Sequence, residues 1–129
     1  MREDMRRLLY AYAECAIWLT MDENEEPLDK DHDFCDLSPG TWACFERDCQ
    51  SFYEQARTLI ESGPEFRHSK PERAGHDFWL TRNGHGAGFW DGDWDTAANP
   101  ELGSALTAIA KTFGEIALYL GDDGRIYHT

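Results

Sequence analysis

Between Ser38-Pro39 and Gly63-Pro64 the chain carries an uninterrupted helical pattern, and this segment constrains the fold more than any other. Serine accepts hydrogen bonds at the N-cap, proline suits the first helical position, and Gly-Pro cannot continue the helix. Trp42, Phe45, Cys49, Phe52, Ala56 and Leu59 recur at three- and four-residue steps, so one face must be buried. The opposite face, with Glu46, Arg47, Asp48, Glu54, Arg57 and Glu61, reads as solvated. A helix of this length needs other elements to cover its stripe.

Three further helices supply them. Met5, Leu8, Leu9, Tyr12, Cys15, Ala16 and Leu19 predict a first helix from about Glu3 to Thr20. Ser69 and Pro71 open a third that ends near Asn83-Gly84, two residues that tolerate the left-handed conformation. Asn99-Pro100 opens a fourth, with Leu102, Ala105, Leu106, Ile109, Ala110 and Phe113 in its stripe and Gly114 as its stop. The period then changes to two. Ile116, Leu118 and Leu120 alternate with Ala117 and Tyr119, and Asp123-Gly124 predicts a tight turn returning through Ile126 to His128. The expected fold is a mainly helical α+β domain spanning residues 1–129, with about four helices and a C-terminal antiparallel hairpin.

A length of 129 residues, 41% of them hydrophobic, suffices for one core. No apolar run approaches the ~18 residues of a membrane span, and Met1 to Arg7 shows no signal-peptide pattern, so a soluble cytoplasmic protein is expected. Cys15, Cys35, Cys44 and Cys49 read as reduced and mostly buried thiols. Gly84 to Trp94 reads as a structured loop, its glycines turning the chain while Phe89, Trp90 and Trp94 bury their rings.

The charge is unevenly placed. Asp22, Glu23, Glu25, Glu26, Asp29, Asp31, Asp33 and Asp36 fall within fifteen residues that contain one lysine or arginine, Lys30. The net charge is -13, from 25 acidic and 12 basic residues, a balance that repels phosphate backbones and attracts basic clefts. Pro27 interrupts the run, which reads as an exposed loop or irregular turn. A second acidic group, Asp91, Asp93 and Asp95, lies in the Gly-rich loop, and Asp122-Asp123 forms a third in the hairpin. Direct nucleic-acid binding is disfavoured.

Metal and enzyme motifs are incomplete. Asp29-x-Asp31-x-Asp33 and Asp91-x-Asp93-x-Asp95 imitate the start of a calcium loop. Both lack the glycine and glutamate it needs, with Phe34 and Gly40 at those places in one and Thr96 and Leu102 in the other. No C-x-x-C or H-x-x-x-H pair points to zinc, so no metal or cofactor is expected. His76, Asp77, Arg82, Asn83 and His85 could act as acid, base and anion clamp in a small hydrolase-like enzyme. The competing account has Asp77 pairing with Arg82 across the helix end and Asn83 shaping the turn.

The block Gly75-His76-Asp77-Phe78-Trp79 through Gly88-Phe89-Trp90-Asp91 and the ending Phe113-Gly114-Glu115 through Gly121-Asp122-Asp123-Gly124-Arg125-Ile126-Tyr127 resemble a family of small acidic bacteriophage and prophage proteins. More loosely, so do Glu14 to Trp18 and Pro27-Leu28-Asp29. The resemblance implies a phage-related origin and transfers no catalytic residue. Small acidic phage proteins without an enzyme motif are often inhibitors of host defence, and several anti-restriction and anti-CRISPR proteins are similar in size and charge and act as mimics of duplex DNA. The expectation is a monomeric inhibitor whose carboxylates, Asp22, Glu23, Glu25, Glu26, Asp29, Asp31, Asp33, Asp36, Asp91, Asp93 and Asp95, occupy the basic cleft of a host CRISPR effector or restriction enzyme. The alternative is an accessory phage protein with another protein partner.

Overall fold

The computed structural model describes residues 2–129. Four helices, α1 (Glu3–Leu19), α2 (Pro39–Glu61), α3 (Lys70–Arg82) and α4 (Leu102–Lys111), precede a two-stranded sheet of β1 (Leu118–Leu120) and β2 (Ile126–His128). Two helix starts follow their side chains, while α4 begins at Leu102, after the expected Asn99-Pro100, with no side-chain cap. Ser38 accepts from the Thr41 N–H and Ser69 from the Glu72 N–H, caps that stabilise a helix by about 1 kcal/mol each. At the hairpin, Leu118 faces His128, Tyr119 faces Tyr127 and Leu120 faces Ile126 in antiparallel register, and Gly124 takes the left-handed φ of 82° that the turn requires.

One buried cluster takes side chains from all four helices and both strands, from Met5 to Ile126. Its centre is aromatic: Phe52 stacks on Phe78 with centroids 4.1 Å apart, and Tyr12 meets Phe45 edge-on at 4.9 Å. α1 packs most extensively on α3. Gly75 makes that possible, because a β-carbon there would collide with the Leu8 carbonyl oxygen. The hairpin is tied to the start of α2, where the Ser38 N–H and the Thr41 hydroxyl both donate to the Ile126 carbonyl, at 2.9 and 3.1 Å.

Four local expectations change. Asp48 does not lie on a solvated face; it turns inward to Arg82, whose side chain is 1% exposed. Arg82 therefore pairs across the core with α2 and not along its own helix with Asp77. Trp90 stays 52% exposed while Phe89 and Trp94 are fully buried, because Phe89 and Trp94 alone reach the core from this loop. The acidic segment is also more ordered than an exposed loop, with single-turn 3₁₀ helices at Leu28–Lys30 and Phe34–Asp36 and with Leu28 and Leu37 buried. All four cysteines are free thiols, Cys35 exposed and the others buried. Among the described residues no helix is long and apolar enough to cross a membrane.

Candidate functional site

An open groove of about 1020 Å³ lies between α1, α3, the acidic segment and the Gly-rich loop. Helical spacing sets two of its walls. Glu14 and Trp18 stand one turn apart on α1, as Glu72 and His76 do on α3. The acidic segment contributes Asp29, His32 and Asp33, and the Gly-rich loop contributes Asp91 and Asp93. Two acidic groups some sixty residues apart thus reach one surface.

The loops hold these carboxylates by local hydrogen bonds. Asp33 accepts from the Cys35 N–H at 2.9 Å while Asp36 accepts from the Asp33 N–H, a reciprocal cap that fixes the second 3₁₀ turn. His32 Nδ1 lies 3.1 Å from Asp36, which orients the ring. In the Gly-rich loop, Asp91 accepts from the Asp93 N–H at 3.2 Å, and Gly92 adopts a φ of 97° that side-chain-bearing residues avoid.

The floor is a buried carboxylate. Asp77 accepts from Trp94 Nε1 at 2.8 Å and from Arg73 Nε at 3.0 Å, and its other oxygen lies 3.5 Å from His76 Nδ1. Arg73 extends over the Phe66 ring at 4.8 Å and donates through Nη2 to Asp93 at 2.7 Å. Partial burial disfavours its charge, but Asp77 and Asp93 outweigh that and hold its pKa above the ordinary arginine value. Cys15 also lines the groove. Burial, then the charges of Asp77 and Glu14, push its thiol up to about 12, so it is no nucleophile at neutral pH.

The remaining acidic residues divide by role. Asp22 accepts from the Asn24 and Glu26 N–H groups and builds its own turn. Glu26 pairs with Lys30 at 3.4 Å, and Glu23, Glu25 and Asp31 are exposed with no ion pair among the described residues. Asp95 is not brought to the groove; it accepts from the Gly103 N–H at 2.8 Å and serves the start of α4. Asp123 accepts from the Tyr127 hydroxyl in the hairpin, outside the groove.

His76 and His85 do not meet. His85 lines a separate cleft of about 510 Å³ with Asn83, Glu115 and Ile116, in which Asn83 accepts from the Ile116 N–H at 2.9 Å. The cluster expected of a hydrolase is therefore split between two surfaces. Among the described residues no group of three or more His, Cys, Asp or Glu has metal-binding geometry. The sequence did not point to Trp18 as part of a site; its 54% exposure, on the face of α1 it shares with exposed Glu14, is visible only in three dimensions. Comparison with protein-family models, with curated proteins and with solved structures gives no match.

Proposed function

We propose that this protein is an acidic inhibitor of the bacteriophage type, which binds a basic, DNA-handling surface of a host defence complex and competes there with DNA. The convergence of Asp29 and Asp33 with Asp91 and Asp93 on one groove supports this reading. A net charge of -13 adds to it, since it steers the protein towards cations and away from phosphate. A DNA mimic needs carboxylates on one surface held at fixed spacings, and the caps of Asp33 and Asp91 limit the freedom of both loops. Exposed Glu23, Glu25 and Asp31 extend the charge beyond the groove.

The test begins with capture of the partner from the host and a competition assay against duplex DNA. Binding should weaken steeply with salt, as DNA binding at the same surface does. The triple variant Asp29→Asn, Asp31→Asn, Asp33→Asn should bind about tenfold more weakly, while Asn at 33 preserves the cap and the fold. Unchanged inhibition by this variant, or a captured partner that does not handle nucleic acid, would reject the proposal.

A further inference from the structure

We propose that the Trp18 end of the groove is a receptor for an arginine side chain presented by a protein partner. The proposal deepens the inhibitor reading, and only the identity of the partner rests on that reading. The groove already holds one guanidinium. Arg73 sits between two carboxylates, Asp77 and Asp93, with its Cζ 4.8 Å over the Phe66 ring. Two carboxylates of the groove, with the Phe66 ring beside it, thus meet the needs of arginine: acceptors for a fork of donors and a flat aromatic face.

A second aromatic side chain and further carboxylates line the groove without a base paired to them. Trp18 is 54% exposed in the groove wall, with the His76 ring 6.4 Å away and inclined by 35°. Glu14, one turn before it, and Asp29 and Asp33 of the acidic segment line the same groove and make no ion pair among the described residues. Charge complementarity therefore selects a cation. The half-exposed indole selects its type, because guanidinium is planar and weakly hydrated and stacks on aromatic rings, whereas the ammonium of lysine is compact and keeps its water. At about 1020 Å³ the groove has room for an extended segment carrying that side chain.

The experiment compares two capped synthetic peptides, Gly-Arg-Gly-Arg-Gly and Gly-Lys-Gly-Lys-Gly, by NMR titration of the ¹⁵N-labelled protein at low salt. The arginine peptide should bind about fivefold more tightly and shift the Trp18 indole signal. In Trp18→Ala the two peptides should bind alike, and Trp18→Phe should restore part of the preference. Glu14→Gln with Asp29→Asn should weaken both. Equal affinities in the natural protein, or a preference that survives in Trp18→Ala, would overturn the arginine receptor while leaving a general acidic interface in place. Binding of neither peptide would also overturn it. Arginine preference together with failure to displace DNA from a captured defence complex would instead overturn the inhibitor reading and leave the receptor standing.

Discussion

Arg82 Nη1 donates to Asp48 Oδ2 at 2.8 Å, so the last residue of α3 is bolted to the middle of α2 inside the protein. The same guanidinium donates to the Tyr12 hydroxyl at 3.0 Å and to the Gly114 and Phe113 carbonyls at 2.8 and 2.9 Å. One side chain thus joins α1, α2 and the turn after α4. Burial works against its charge, but Tyr12 and Asp48 more than compensate, and its pKa stands above the ordinary arginine value.

Removing Asp48 alone should be severe, because it leaves a buried cation without its counter-charge. Asp48→Ala is expected to lose about 3–5 kcal/mol in urea unfolding. Arg82→Lys should recover little, since an ammonium cannot reproduce the fork of donors. The double variant Asp48→Leu, Arg82→Met should be more stable than Asp48→Ala, a comparison that separates the stranded charge from the loss of the bond itself.

Gly75→Ala should destabilise the protein by about 1–3 kcal/mol, the usual cost of overpacking a tight contact. The added methyl meets the Leu8 carbonyl, a backbone atom that cannot rotate away. Thermal unfolding measures the loss, and a Gly75→Ala protein as stable as the parent would show that α1 and α3 can separate without cost.

Thiol reactivity should sort the cysteines by burial. Cys35 is exposed, whereas burial raises the thiols of Cys44 and Cys49 and pushes Cys15 up to about 12. Few thiolates form at the buried sites near neutral pH. A thiol-titrating reagent should therefore modify about one cysteine per native chain and all four after denaturation.

The hairpin carries a pH signature. The Tyr127 hydroxyl, followed by the Arg125 N–H, holds Asp123 below the usual carboxylate value, and Tyr127 is raised in turn by Asp123. For the depressed acid, the stabilising bond is present above the unfolded-state value and is lost as pH falls through the lower folded one. For the raised phenol, it is present below the unfolded-state value and lost as pH rises through the higher folded one. NMR titration of the Tyr127 ring should show the raised value in the parent and its return to the ordinary tyrosine value in Asp123→Asn.

Glu25 has a φ of 62°, the one left-handed residue other than glycine among those described. Glu25→Gly should gain about 0.5–1 kcal/mol by relieving that backbone, net of the freedom glycine adds to the unfolded chain. Hydrogen exchange at the Asp22 and Glu25 amides, both bonded within this turn, should slow accordingly.

The caps explain how much of the fold was legible. Ser38, Ser69 and the Asp123-Gly124 turn act on neighbours a few residues away, so their identity announces the element. The helix stripes repeat, and repetition survives without knowledge of the partner. Arg82 gave no such signal, because Asp48 is 34 residues away and every nearer carboxylate was an equally good match in sequence. The groove was hidden for the same reason. Asp91, Asp93 and Asp95 look equivalent along the chain, yet two face the groove and the third serves α4.

Gly75 has a consequence beyond stability. With backbone against backbone at that crossing, the separation of α1 and α3, which carry Glu14 and Trp18 and Glu72 and His76, is set there by main-chain atoms. The two helices that carry the groove are thus ordered before anything docks, and a partner bound there would cost the backbone on the protein's side little freedom.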